Sequence, residues 1–248
     1  MTSNPVRTDD GSFTFRHPEV GEAYHSLDGA DAETRCKFID PSGLRERLLA
    51  GPVRLLDVGF GLGFNCRAAL NITEKYPLRI DSMEKEREAL ERGLMLFPGD
   101  SLILSLQNHG EYRIGQNQAV LHIGDIRNTV QKLSEPYDLI FHDPFSPVRN
   151  SECWTVELFR EMFRLLKPDG VLLTYSRSKI IRKALEEAGF NLQETPIPPP
   201  RRGGTLAFKT GNGIDVEETI PFRDPALNAS GHEIRSRREA ELRTSRQS

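Results

Sequence analysis

Residues 53–63 read VRLLDVGFGLG, and the fold turns on how they are read. VRLLDV is a short apolar run bounded by glycines, the pattern of a strand buried within a sheet. Gly59, Gly61 and Gly63 then alternate. Glycines so placed let the backbone turn sharply and approach a ligand where a Cβ would collide. NCRAALNITEKY follows as a helix stopped by Pro77, and the free N–H groups at its start favour an anionic group. A tight strand-to-helix turn without a ligand fits the same residues.

The alternation continues outward. LRIDSME, AVLHIGD, YDLIFHD and VLLTYS read as further strands, with helices at KEREALERGLMLF, DIRNTVQKL, TVELFREMFRLLKPDG and KIIRKALEEAGF. FNLQETPI and GGTLAFKT look like a closing pair, and LILSL at 102–106 suits helix or strand. Strands alternating with helices of this size predict an α/β fold on a mainly parallel sheet. Residues 1–50 hold a polar arm, the segment EAYHS and a weak helical stretch, PSGLRERLLA; we expect them to cover the site as a lid. Residues 51–210 form the main domain. Residues 211–248 are polar with mixed charge and one short possible helix, which predicts a flexible or docking extension.

Composition narrows the classes. No apolar run approaches the length of a membrane span, and MTSNPVRTDD lacks a secretory core. Cys36, Cys66 and Cys153 are odd in number and far apart, which points away from disulfides or a zinc site and towards a reducing, cytoplasmic setting. With a net charge of −3, nucleic-acid binding would need local basic patches.

In open α/β sheets, ligands bind beyond the carboxyl ends of the strands. The first strand ends in Asp57, Gly59, Phe60, Gly61 and Gly63. A dinucleotide fingerprint fails there, because Phe64 or Cys66 stands where its third glycine belongs. Glu84 ends the second strand, about twenty residues after the glycines, where a carboxylate can accept both hydroxyls of a ribose. Asp125 and Ile126 end the third; Asp125 suits either an adenine amine, walled by Ile126, or a helix N-cap. The fourth ends in His142-Asp143-Pro144-Phe145-Ser146-Pro147, a loop stiffened by two prolines that holds Asp143 in place. Strand alternation turns His142 away from Asp143, so it reads as packed, and Asp138 reads as structural. The loop resembles the D-P-P-Y type of methyltransferases that modify exocyclic amino nitrogens. Together the four strand ends follow the order in which an S-adenosyl-L-methionine (SAM)-dependent methyltransferase uses its strands.

The chain also resembles the methyltransferase half of MnmC, in particular stand-alone members without the fused FAD oxidase. The likeness rests on Glu22-Ala-Tyr24-His25-Ser26, the loop Phe60–Asn65, Glu84-Lys85, Gly124-Asp125, the Asp143 loop with Trp154, Tyr175-Ser176 and Arg201-Arg202-Gly-Gly-Thr205. Pro144 departs from the small residue common in the family and removes a backbone N–H. The resemblance implies a Rossmann-like class I SAM-dependent methyltransferase fold, a seven-stranded sheet with helices on both faces. It implies SAM as cofactor, no metal, Asp143 as catalytic residue, and methylation of 5-aminomethyl-2-thiouridine at the tRNA wobble position. Tyr24, Ser26, Phe145, Arg201 and Arg202 would then meet the tRNA anticodon region, and a separate enzyme would supply the aminomethyl substrate. Arg177, Lys179, Arg182 and Lys183 could grip phosphates or be solvated helix charges. A SAM enzyme for a small-molecule amine shares every cofactor signal, and a non-catalytic SAM- or nucleotide-binding protein would leave Asp143 dispensable.

Overall fold

A computed structural model describes residues 4–72, 74–196 and 203–245. A short hairpin in the arm joins β1 (Val6–Arg7) to β2 (Phe13–Thr14). The run that opens the main domain is β3 (Val53–Val58), followed by β4 (Leu78–Glu84), β5 (Glu111–Ile114), β6 (Asn117–Ile123), β7 (Tyr137–His142), β8 (Leu166–Thr174), β9 (Asn191–Glu194) and β10 (Thr205–Phe208). These eight form one sheet in the order β5-β6-β4-β3-β7-β8-β10-β9. The block β6-β4-β3-β7-β8 is parallel, and antiparallel pairs close both edges. After β3 the chain builds outward through β4 and β6, then returns to β7 on the other side of β3. That reversal is the switch point at which such sheets bind ligands.

Alternation along the strands builds a core on each face. Leu56, Val58, Ile140 and Leu172 pack with Trp154, Phe159, Met162 and Ile181 on one side. Leu55, Leu139, Phe141 and Leu173 pack with Phe38, Leu48, Leu70 and Ile103 on the other. Each such side chain fully buried contributes roughly 1.5–3 kcal/mol. The helix Val156–Leu165 turns Leu158, Phe159 and Met162 inward, as its spacing predicts.

Two expectations need correction, and one open reading is decided. The main sheet has eight strands rather than seven, because β5 pairs with β6 around Gly115 (φ +57°). As a largely exposed edge strand it carries no apolar periodicity to read. The ambiguous LILSL is helix, Ser101–His109, capped by Asp100, whose carboxylate accepts from Ile103 N at 2.9 Å. The stretch Lys167-Pro168-Asp169-Gly170 does not stop a helix but lies within β8, which starts at Leu166 and shifts register against β7.

The tail docks on the domain. Phe222, Ala229 and Ile234 are buried in the core that holds Trp154, and Thr155 bridges to Phe222. The helix Gly231–Ser245 follows. Among the described residues no helix is long and apolar enough to cross a membrane.

Candidate active site

A cleft of about 460 Å³ opens beyond the carboxyl ends of β3, β4, β6 and β7. Its floor is two loops in contact. Asp143 N donates to Val58 O at 2.9 Å, and Gly59 (φ +89°) lies so close that a Cβ there would stand 2.7 Å from Asp143 O. Only glycine allows both that conformation and that approach. Gly61 N donates to Glu84 Oε2 at 2.9 Å, while Glu84 Oε1 accepts from Lys85 N and Glu86 N at 2.7 and 3.1 Å. Burial pushes the Glu84 carboxyl above its ordinary range, and these three N–H groups oppose the shift. The carboxylate is thus fixed by three backbone donors, with about one acceptor direction, on Oε2, left for a ligand.

Asp125 caps the helix Ile126–Val130, accepting from Arg127 N at 2.9 Å, and Arg127 grips it again through Nε and Nη2. Burial works against its charge, but the hydrogen bonds and charge of Arg127 prevail and hold the carboxyl below the ordinary range. Asp125 is an N-cap, and it also lines the cleft.

The other end of the cleft combines carboxylates with aromatic rings. Asn65 Nδ2 donates to Asp143 Oδ2 at 2.9 Å. Burial, with the charge of Glu33 behind it, raises the Asp143 carboxyl well above the usual range against the pull of Asn65. Glu33 pairs with Lys37 at 2.5 Å and accepts from Ser26 N at 2.7 Å. The loop after Asp143 is tied along its length. Tyr175 Oη donates to Pro144 O at 3.1 Å, Trp154 Nε1 donates to Phe145 O at 2.9 Å, and Ser146 N and Oγ both donate to Glu22. His17, Tyr24 and Phe145 form an aromatic wall with ring centres 5.1–5.8 Å apart, and Arg92 donates to Tyr24 Oη at 3.0 Å.

Of the residues expected at the site, Gly59, Gly61, Glu84, Asp125, Ile126, Asp143, Tyr24, Ser26 and Phe145 line the cleft. Asp57, Phe60 and Gly63 are not among the residues that line it. Asp57 is fully buried beneath the loop, where Ser82 Oγ donates to it at 2.9 Å; alternation along β3 sends its side chain into the sheet face rather than the cleft. Burial lifts its carboxyl to about 7, with Ser82 opposing and Glu84 adding to the shift. The Phe60 ring folds under Gly63, where a Cβ would come within 2.9 Å of it. Arg201 and Arg202 lie outside the described residues.

His142 is packed, as read, with its ring 4.7 Å from Trp154 and 5.2 Å from Phe159. Asp138 binds Lys167 Nζ and Arg54 N, both at 2.8 Å. The basic cluster does not point outward as a free patch. Arg177 and Arg182 pair with Glu194, Lys179 with Glu217, and Lys183 with Glu186 and Glu218.

The residues not singled out are His17, Glu22, Glu33, Asn65 and Tyr175. Glu22, Asn65 and Tyr175 stand inside quoted motifs, without a role of their own. Glu33 had no signal beyond being an acid in a short helix.

The residues fit an adenosyl ligand carrying an amino acid. A glycine cradle that a Cβ would fill, a carboxylate fixed beside it and an acidic residue with an apolar neighbour line one continuous cleft. Comparison with known proteins agrees. A family model for S-adenosyl-L-methionine-dependent methyltransferases matches residues 100–210. The chain is 31% identical to MJ0670 of Methanocaldococcus jannaschii over 94% of its own length and 71% of that protein's. It is 32% identical to the tRNA 5-methylaminomethyl-2-thiouridine biosynthesis bifunctional protein MnmC of Cupriavidus metallidurans over 83% of this chain, and spans 34% of that relative's length. The crystal structure of MnmC2 from Aquifex aeolicus superposes with a TM-score of 0.80 at 29% identity, over 94% of this chain and 82% of that one.

Proposed function

Because the chain belongs to the S-adenosyl-L-methionine-dependent methyltransferase family that includes the methyltransferase region of MnmC, we propose that it methylates the aminomethyl nitrogen of 5-aminomethyl-2-thiouridine at the tRNA wobble position. The observation that carries this reading is that Asp143 and an aromatic wall of His17, Tyr24 and Phe145 line the same cleft. A carboxylate suits an amine, and aromatic faces suit a flipped-out base.

Bound SAM supplies an electrophilic methyl group on its sulfonium. Glu84 would accept from the ribose hydroxyls and Asp125 from the adenine amine, and Gly59 and Gly61 would let the ligand approach the backbone. Asn65 engages one Asp143 oxygen and leaves the other for the acceptor. An amine attacks only when neutral, so Asp143 orients it and takes its proton. The raised affinity of this carboxyl for protons serves that role. Holding both reactants in line contributes up to about 7–11 kcal/mol. Tyr24 and Ser26 belong to the arm that roofs the acceptor. The substrate is already a modified base, so a separate activity must supply its amine.

The test is incubation with methyl-labelled SAM and tRNA lacking the final methyl group, followed by nucleoside analysis. Label in the wobble nucleoside is the expected result. Label in polyamines but not in tRNA would overturn the acceptor in favour of a small-molecule amine. Binding of SAM with no transfer to either would overturn the enzymatic reading of the site.

A further inference from the structure

The C-terminal segment reaches the cofactor end of the cleft through one arginine. Arg127 holds Asp125 with Nε and Nη2, and its Nη1 extends the other way to Asp224 Oδ2 at 3.0 Å and to Ala229 O at 2.6 Å. Asp224 is 1% exposed. A buried carboxylate is costly unless it is paired and its lone pairs are filled. Here two donors serve it: Ala229 N bridges both oxygens at 3.1 and 3.2 Å, and Arg127 Nη1 reaches Oδ2 at 3.0 Å.

The turn that presents Asp224 is built for the purpose. Its own N–H donates to Glu157 Oε2 at 2.8 Å, and Leu227 N donates to Asp224 O at 2.9 Å. Leu227 has φ +51°, the one non-glycine residue at positive φ among the described residues. Such a conformation persists where surrounding contacts over-determine it. The turn is tied to the helix Val156–Leu165 through Glu157 and to the core through Phe222 and Ala229. It is therefore a rigid anchor on an element outside the parallel sheet.

A carboxylate has about four acceptor directions, and Arg127 fills most of those on Asp125. Little acceptor capacity remains on this cleft-lining carboxylate, and which part of it stays free depends on where the guanidinium lies. The guanidinium in turn is set by Asp224 and Ala229. We infer that Asp224 is a positioning residue: through Arg127 it aims the Asp125 carboxylate at the exocyclic amine of the cofactor's adenine. The inference rests on the proposed role of Asp125 and adds a part of the chain that carries no cofactor contact of its own.

The experiment compares binding of S-adenosylhomocysteine with its hypoxanthine analogue, S-inosylhomocysteine, which presents a carbonyl where adenine has an amine. The full-length protein should prefer the adenine form by about tenfold or more, the size of a charge-assisted hydrogen bond. Asp224→Asn should reduce that preference to about threefold or less, and should raise KM for SAM by more than it lowers kcat. A merely structural loss would weaken both ligands equally and leave their ratio unchanged. Arg127→Lys keeps the charge but loses the fork, and should lower the ratio in the same way; it decides the matter if Asp224→Asn does not fold. Asp125→Asn separates the two claims. If it abolishes the preference while Asp224→Asn and Arg127→Lys retain it, the role of Asp224 is overturned and the site reading stands. If Asp125→Asn itself keeps the full preference, the adenine reading of Asp125 fails and the inference falls with it.

Discussion

Asn65 donates to Asp143 across 2.9 Å, so the helix after the glycine loop holds the carboxylate of the loop after β7. One hydrogen bond thereby links the end of the cleft assigned to the cofactor with the end assigned to the acceptor. Removing it should disturb catalysis more than cofactor binding. We expect Asn65→Ala to lower kcat by about tenfold or more, the size of a hydrogen bond to a charged group, with SAM affinity within about threefold. Steady-state kinetics with equilibrium binding of S-adenosylhomocysteine would show it; unchanged kcat would remove Asn65 from the site.

The raised affinity of Asp143 for protons sets a pH dependence. The proposed role as proton acceptor needs the ionised form, so kcat/KM should fall as pH drops through a value well above the ordinary aspartate range. Asp143→Asn should lower turnover by about 100-fold or more and remove that limb from the profile. If the variant kept both full turnover and the same profile, Asp143 would be no proton acceptor.

Asp57 makes the opposite kind of prediction, about stability. Its carboxyl sits at about 7 in the fold against an ordinary 3.8. Between those values the folded chain binds a proton that the unfolded chain has released. The stability this gives is full below the lower value and lost as pH rises through the upper one, on the order of a few kcal/mol. Asp57→Asn cannot titrate and still accepts from Ser82. Without cofactor, its melting temperature should gain on the natural protein as pH rises from about 4 to about 7, at roughly 2–4 °C per kcal/mol. A difference that stays constant across that range would contradict the assignment.

The paired basic cluster yields a prediction of no effect. Lys179 and Lys183 are held by Glu217, Glu186 and Glu218, so they offer little to a phosphate. The double substitution Lys179→Ala and Lys183→Ala should change tRNA affinity by less than about twofold and leave its salt dependence intact. A drop in the salt slope of about one or more would place these side chains on the RNA.

The legible parts of the molecule are those with local patterns. β3, β4 and β7 announce themselves as apolar runs, and Glu84 and Asp143 stand at their ends. β5 is an exposed edge, so nothing in its residues separates it from a loop. Asp57 adjoins the glycine loop in sequence, while its place in β3 buries it. Glu33 could not be found, because its importance comes only from how the arm folds over Asp143. The tail's sequence leaves flexible and docking readings both open, because Phe222 and Ile234 are single apolar residues in a polar stretch and their burial is set by the surface they meet.

The arm leaves its mark on the order in which the molecule is assembled. Glu22 closes on Ser146, 124 positions further along the chain, and His17 closes on Phe145. Contacts so distant in sequence form late, since their loop-closure entropy is met only once the sheet between them exists. During synthesis the arm emerges before the sheet it rests on, and the contacts that hold it over the cleft wait for that sheet. In the finished protein it is held by Glu22 on Ser146, by His17 on Glu86 and Phe145, and by Phe15 and Ala30 packed on Leu62 and Phe64, so the roof is part of a buried apolar cluster and not a loose flap.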